Sequence, residues 1–350
     1  MGRQTEITEK GNLLNDKGEL VQPGWSRAPL WRYDRNSIKA GPLGIKEWDY
    51  YNILSPDLKR GITFTVSDLS YAGLMAICYL DFERNDFVQV DTIAPLTLGK
   101  LTKHAPGGDP AHEVIEFSDK KLSIRYELKS GKRNITFSAP WMDLPGGGTG
   151  LSGDITLDQP PELESINIAT SWKENPRRFY YNRKINCMPA SGYFNAGDSV
   201  FQLNAPDDMG GLDWGRGAWT YRNRWYWSSA SGLLHGKSFG FNLGYGFSDR
   251  TPATENTLFY EGRAHKLEDV EFFFDPDNYM KPWTIRDNTG RLDLDFRPSI
   301  DRSSAVNLLV IRSLQHQVFG AFSGKAVLDD GTELVLKDFP GFAEDVYNRY

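Results

Sequence analysis

The sequence predicts an all-β protein built as two tandem antiparallel β-barrels or half-barrels, with very little helix. Aromatic side chains make up 13% of the 350 residues and there are 34 glycines, a composition typical of strands separated by tight bends. Short runs of alternating apolar and polar residues recur along the chain with a period of two. An ordered set of motifs from the first half also returns in the second half, which indicates a duplication.

The chain length restricts the number of domains, and the net charge restricts the kinds of partner. The chain is long enough for two domains of ordinary size, each with its own core. We place an N-terminal β-domain, which begins with a polar arm, at residues 1–175 and a C-terminal β-domain at residues 176–350. The net charge of −6 is spread along the chain, and this argues against a nucleic-acid partner because such a partner needs a basic face.

The polar arm occupies the first twenty residues, and residues 15–18 have the composition of a turn. The arm lacks the apolar centre of a signal peptide, and no apolar run approaches the ~18 residues of a membrane-spanning helix. We therefore expect a cytoplasmic protein without a transmembrane segment. Cys78 and Cys187 each lie among apolar residues, and pairing between them stays open because no motif favours it.

Strand patterns dominate the first half. Residues 62–83 contain two strand-like runs broken near residues 68–73, and residues 104–110 have the composition of a loop. Residues 141–150 end in glycines that are unsuited to a strand interior. A meander is predicted over residues 114–117, 122–128 and 134–138.

The second half begins with a basic and aromatic segment, residues 177–184, which we interpret as a strand with charged flanks rather than a nucleic-acid patch. The densest aromatic stretch, residues 211–247, holds four of the ten tryptophans. Such a stretch forms either a core wall or a ligand wall, because tryptophan and tyrosine join a large apolar body to one polar tip. The best helical period lies in residues 342–350.

Six motifs recur in the same order in the two halves. In the first, Trp25, Arg27, Trp31 and Tyr33 correspond to Trp214, Arg216, Trp219 and Tyr221. The others join residues 46–50 with 223–227, 62–66 with 237–241, 122–125 with 283–286, 131 and 137 with 290 and 296, and 152–153 with 323–324. The repeat implies tandem domains, and the alternative is two β-domains that reuse generic strand and turn residues. Seven to ten short strands per half would form a barrel or half-barrel, which can hold one small ligand.

These motifs carry a family resemblance. Residues 24–31, 46–51, 212–227 and 253–262 resemble the bacterial and fungal proteins grouped as domain of unknown function 2804. That resemblance covers nearly the whole chain and implies no firmly assigned activity. More distantly, the two-half layout is similar to tandem lipocalin-like proteins of the carotenoid-hydratase and tocopherol-cyclase type. This similarity implies a lipocalin-like fold, lipophilic ligands and, in some members, acid-assisted addition, cyclisation or pericyclic chemistry.

Two carboxylates are the candidate catalytic acids. Asp213 precedes Trp214, and burial against tryptophan would raise its pKa so that it could donate a proton at neutral pH. The alternative is a turn or capping aspartate that follows two glycines. Glu255 and Asn256 could together orient a polar ligand group, or form a surface loop pair. Tyr221 is the candidate hydroxyl donor.

The predicted ligand wall is aromatic, with polar residues set among the rings. Arg27 and Arg216 could stack on rings or pair with a carboxylate, or else form a structural ion pair. Asn242 interrupts an apolar strand pattern and faces either solvent or a lumen. The ligand-binding prediction comprises Trp25, Arg27, Trp31, Tyr33, Trp214, Arg216, Trp219, Trp225, Trp227, Asn242, Tyr245 and Asn256.

The five histidines lack metal-ligand spacing, so no metal is predicted, and there is no GxSxG elbow or phosphate loop.

We predict binding of a lipophilic or aromatic-bearing small molecule, with cofactor-free acid-assisted addition, cyclisation or isomerisation as the catalytic form of the hypothesis. Two alternatives stay open. One is a carbohydrate-active enzyme with tryptophan platforms and a carboxylate pair, Asp213 with Glu255 or Asp249. The other is a non-catalytic binding protein.

Overall fold

The computed structural model describes residues 4–102, 112–307 and 312–349, and these ranges are mostly β-structure. The loop predicted over residues 104–110 lies outside them. Two 3-10 turns, Arg35–Ser37 and Pro42–Gly44, are the only helical segments in these ranges. Within the same ranges, no helix has the length and apolar character needed to cross a membrane.

The first fifteen strands run from the arm to the densest aromatic stretch. They are β1 (Gly11–Asn12), β2 (Gly24–Ser26), β3 (Trp31–Arg32), β4 (Ile45–Ser55), β5 (Arg60–Asp68), β6 (Ala72–Asp81), β7 (Asp86–Pro95), β8 (His112–Ser118), β9 (Ser123–Lys129), β10 (Lys132–Asp143), β11 (Thr149–Asp158), β12 (Ile166–Trp172), β13 (Asn175–Ala196), β14 (Ser199–Leu203) and β15 (Met209–Ala218). The segment predicted as a strand with charged flanks lies in β13.

Nine further strands complete the chain. They are β16 (Arg222–Leu234), β17 (Lys237–Tyr245), β18 (Thr257–Tyr260), β19 (Arg263–Lys266), β20 (Val270–Phe273), β21 (Trp283–Asp287), β22 (Leu292–Asn307), β23 (Arg312–Val327) and β24 (Glu333–Arg349). The helix expected over residues 342–350 is wrong, because residues 342–349 belong to β24. This strand pairs with β16 on one side and β23 on the other, and that pairing outweighs the local helical period.

Two curled sheets share one topology. The first has the order β7-β6-β5-β4-β15-β13-β11-β10-β9-β8. In addition, β12 and β14 pair with β13, and β2 pairs with β12. The second has the order β19-β18-β17-β16-β24-β23-β22-β21-β20. In each, the first long strand pairs antiparallel with the last strand. The predicted class of two tandem half-barrels is therefore confirmed.

The internal repeat maps onto this topology. Five of the six motifs lie on or beside strands that follow each other in the same order, which are β4 and β16, β5 and β17, β9 and β21, β10 and β22, and β11 and β23. The last three pairs match when counted from the β8 and β20 edges, but β23 pairs directly with β24 whereas β13 separates β11 from β15. The first motif differs, since Trp25 lies on β2, which pairs with β12, whereas Trp214 lies on β15, which pairs with β4 and β13. The chain passes between the sheets from Ala218 to Arg222. The domain division at residue 175 falls at the start of β13 and stays a prediction.

The core has an inner part in each half-barrel and a third part where the two sheets face each other. Residues on β15 alternate between the first interior and this interface. Trp214 packs in the first interior, whereas Asp213 and Trp219 belong to the interface. Cys78 and Cys187 are buried at the interface and are not disulfide-bonded.

Candidate functional site

The interface is formed by β4, β13 and β15 of the first sheet and by β16, β17 and β24 of the second. The Tyr50 ring meets Trp227 and Phe342 from the opposite sheet, at centroid distances of 5.8 Å and 6.4 Å. Two glycines leave room for interface side chains that belong to their own sheets. A Cβ on Gly215 would lie 2.0 Å from the Trp48 ring, and one on Gly244 would lie 1.9 Å from Glu255 Oε1.

A group of charged side chains is buried in this interface. Lys184 Nζ lies 2.9 Å from Asp213 Oδ2 and 3.8 Å from Glu255 Oε2. The same ammonium lies 3.9 Å from the centre of the Trp227 ring, which is a cation–π contact. Asn182 donates a hydrogen bond of 2.6 Å to Asp213 Oδ1. We call Lys184, Asp213, Glu255 and Glu344, together with the surrounding rings of Trp219, Trp225 and Trp227, the interface cluster.

Glu344 is the carboxyl of the cluster that lies on β24. Its Oε1 accepts a hydrogen bond of 2.8 Å from Trp225 Nε1, and its Oε2 accepts one of 3.1 Å from Gln317 Nε2. Burial raises the pKa of Glu344 to about 7, and nearby Asp213 adds to this, while the Trp225 hydrogen bond and Lys184 act in the opposite direction. This carboxyl therefore keeps its proton to a higher pH than an ordinary glutamate does.

Glu255 precedes β18 and is also buried, with 4% of its surface exposed. Burial raises its pKa, with Asp213 acting in the same direction and Lys184 in the opposite one. Its Oε2 has no hydrogen-bond partner among the described residues. Buried polar atoms are normally paired, and Lys184 Nζ, at 3.8 Å from this oxygen, is within ion-pair range but beyond hydrogen-bond distance.

The aromatic part of the cluster is centred on Trp219. Its ring centre lies 5.7 Å from that of Trp48, 5.4 Å from Tyr180 and 5.6 Å from Trp225. Trp48 and Trp225 are only partly buried, whereas Trp219 is 5% exposed. The rings therefore form a continuous wall from the surface to the buried carboxyls.

The sequence-predicted residues fall in several places. The structure brings six of them together in or beside the interface cluster, which are Asp213, Glu255, Trp219, Trp225, Trp227 and Asn242. Asn242 accepts from Trp227 Nε1 at 2.7 Å and donates to the Glu255 backbone oxygen at 2.9 Å. Asp213 is a strand residue rather than a turn or cap, and Glu255 is buried rather than part of a surface loop.

Four predicted residues lie instead in the interior of the first half-barrel, which are Trp31, Tyr33, Trp214 and Arg216. Arg216 donates to Asp49 Oδ2 at 2.8 Å and to the Trp48 backbone oxygen at 2.6 Å. Arg216 therefore forms a structural ion pair, which was one of the roles that the sequence left open for it. Trp214 packs edge-to-face on Tyr181, with a centroid distance of 5.2 Å.

The remaining predicted residues are dispersed. Trp25 lines an outer pocket of about 440 Å³ beside Lys266, and Arg27 pairs with Glu6 and Glu164. Tyr245 accepts the Phe272 backbone N–H in the second half-barrel, and Asn256 accepts that of Gly244. Tyr221, the candidate hydroxyl donor, is 51% exposed. Asp249 accepts from Thr251 and lies 3.4 Å from Lys173.

In the described ranges, no three His, Cys, Asp or Glu side chains are grouped to hold a metal.

Sequence reasoning missed Lys184, Glu344, Asn182 and Gln317. A signal for the first half of the cluster was present in β13, where Tyr180, Asn182 and Lys184 alternate and therefore share one face. Glu344 gave no such signal, because its segment was interpreted as helical. The partners of each charge lie on strands distant in the sequence, and a local pattern does not identify them.

Comparisons with known proteins agree with this architecture. A kievitone hydratase from Nectria haematococca superposes with a TM-score of 0.50 at 12% identity, over 87% of this chain and 88% of that one. The protein CghA superposes with a TM-score of 0.51 at 11% identity, over 97% and 96% of the two chains. At these identities the similarity concerns the fold alone.

No curated protein sequence gives a significant match to this chain. A family model, described as a domain of unknown function, matches residues 4–350. The match spans both half-barrels and every residue of the interface cluster. The chain therefore belongs to the family of the domain of unknown function DUF2804.

Proposed function

We propose that the protein binds a lipophilic small molecule with a polar group at the interface cluster and transfers a proton to it during an addition, cyclisation or isomerisation. The observation that carries the proposal is Glu255 Oε2, which is buried beside the aromatic wall and makes no hydrogen bond with the described residues. An apolar body would pack on the indole rings while the polar group meets the carboxyl. Binding is the general part of the proposal, and proton transfer is its specific part.

The cluster contains the groups that an acid-assisted reaction needs. Glu344, with a pKa near 7, and Glu255, with its raised pKa, both retain protons at higher pH than an ordinary carboxyl. After either gives its proton to the ligand, the new carboxylate faces the Lys184 ammonium. Positive charge that develops on the ligand would be stabilised by ring faces, worth ~0.5–2 kcal/mol for each suitable contact.

The geometry favours this function over glycoside cleavage. A glycosidase places two carboxyls across an open polar cleft that admits a sugar. Asp213 and Glu255 instead share Lys184 in a buried, ring-lined setting. A kievitone hydratase has the same fold, and hydration is itself an addition reaction.

The test is mass spectrometry of compounds extracted into organic solvent from the gently purified protein. We expect a lipid or terpenoid from the wild type and at least about tenfold less from E255Q, because the carboxyl that would meet the polar group of the ligand is replaced. The control is E261Q, since Glu261 is exposed and pairs with Lys237 on the surface. A glycan in the extract, or equal retention by E255Q, would contradict the proposal.

A further inference from the structure

The interior of the first half-barrel holds an excess of buried positive charge. Three arginines lie in this interior, which are Arg133 on β10, Arg183 on β13 and Arg216 on β15. Asp49 and Glu113 lie near them, and the positive charge of at least two of the arginines acts to lower the pKa of each carboxyl. Arg216 pairs with Asp49 at 2.8 Å. Arg133 donates to Tyr51 and Gln159, which are uncharged. Buried Glu47 also faces Arg216, but it pairs with Arg35 and so adds no net charge. Apart from that pair, three guanidinium groups face two carboxyls.

Arg183 is the least satisfied of these groups. Its Nε is buried without a hydrogen-bond partner, and no described carboxylate lies within 4.0 Å of its guanidinium. Burial, reinforced by Arg133, lowers its pKa to about 10, so it stays charged at neutral pH. A buried cation without a counter-charge is costly, and proteins normally pair such groups.

Other polar atoms in the same interior also lack partners within the described ranges. They are Glu113 Oε1, Tyr126 OH and Arg216 Nε. Arg183 and Glu113 each keep part of their surface accessible. Apolar and aromatic side chains form the rest of this interior, including Tyr51, whose ring lies 4.8 Å from that of Tyr126.

We propose that this interior is a second binding site, which takes a lipophilic monocarboxylate and holds its head group on Arg183. A guanidinium presents two N–H groups in the plane that a carboxylate accepts, and one negative charge balances the excess of one cation. The apolar tail would lie among the rings of the half-barrel. This site is separate from the interface cluster, because Arg183 and Lys184 are consecutive strand residues whose side chains leave β13 on opposite faces.

The test compares dodecanoate with dodecan-1-ol, its uncharged counterpart, by isothermal titration calorimetry. We expect dodecanoate to bind the wild type and to bind R183Q at least about tenfold more weakly, since a charge-assisted pair is lost. Dodecan-1-ol should bind both proteins equally. R125Q is the control, because Arg125 lies on the same sheet but pairs with Glu116 and Glu127 outside. No dodecanoate binding by the wild type, or equal binding by R183Q, would overturn the proposal.

A second measurement needs no variant and therefore does not depend on the folding of R183Q. Phenylglyoxal modifies arginine, and peptide mass spectrometry reports the rate at each site. Dodecanoate should slow modification of Arg183 in the wild type, whereas dodecan-1-ol should not. Equal modification rates with and without dodecanoate would contradict a carboxylate on this guanidinium.

Discussion

The three carboxyls of the interface cluster share one lysine, and their oxygens are used differently. Asp213 Oδ1 accepts a hydrogen bond from Asn182, and Asp213 Oδ2 forms an ion pair with Lys184. Glu344 accepts from a tryptophan and a glutamine, whereas Glu255 Oε2 has no hydrogen bond from the described residues and lies 3.8 Å from Lys184 Nζ. Asp213 thus holds Lys184, whereas the pKa values of the two glutamates are raised.

Glu344 should make stability depend on pH. In the unfolded chain it ionises near its ordinary pKa of 4.5, whereas the folded protein keeps the proton up to about pH 7. Between these values the folded state binds more protons, so raising the pH destabilises it. Relative to E344Q, the free energy of unfolding of the wild type should fall by about 3 kcal/mol across this interval. The groups that face Glu344 are Lys184, Asp213, Arg302, Trp225 and Gln317.

Urea denaturation at about pH 4.5 and about pH 7.5 measures this difference. E333Q is the matched control, because Glu333 lies on the same strand with its side chain exposed and pairs with Lys325. E333Q should show no such pH-dependent difference from the wild type. A constant difference between wild type and E344Q at both pH values would show that the carboxyl titrates normally.

Lys184 and Asp213 should be strongly coupled. K184M leaves Asp213 buried without its cation, so we expect a loss of about 3–5 kcal/mol in the free energy of unfolding. The double variant K184M/D213N should lose less than the sum of the single variants, with a coupling of about 1–3 kcal/mol. A double-mutant cycle in urea measures this. The exposed Lys237–Glu261 pair is the comparison and should show almost no coupling, and additivity at Lys184 and Asp213 would refute the account.

At the scale of single strands, alternation explains how two curved sheets meet so closely. On β17, Phe239, Phe241 and Leu243 pack in the second half-barrel, whereas Gly240, Asn242 and Gly244 lie between them in the sequence and face the interface. Alternation predicts such strands well from the sequence. It fails for residues 342–349, because β24 buries residues on both faces and so lacks a clear polar period.

Gly244 tests this interpretation of the strands. In G244A the new methyl group would occupy the position of Glu255 Oε1, so the carboxyl must move. We expect a loss of about 1–3 kcal/mol in stability, measured by urea denaturation, because the interface is overpacked. G11A is the control, since a Cβ on Gly11 meets nothing within 4 Å, and its effect should stay within about 0.5 kcal/mol. Equal stability of G244A and G11A would be inconsistent with the packing described.

At the scale of the whole molecule, duplication produces a surface that neither copy has alone. The sequence predicts the two half-barrels, because five repeated motifs lie on strands that follow the same order in each sheet. It also names Asp213 and Glu255 as candidate acids, and the structure shows that both are buried. It does not predict Lys184 and Glu344, because their roles depend on which faces of the two sheets meet, and a repeat within the sequence carries no information about that contact.

The central claim is that the interface cluster, rather than a half-barrel interior, holds the molecule on which the protein acts. A crystal structure of the protein with its co-purified compound tests this most directly. We predict density for the compound beside Glu255 Oε2, with its apolar part against Trp225 and Trp227. Density for it elsewhere, with the interface cluster unchanged and closed by its own side chains, would contradict the account.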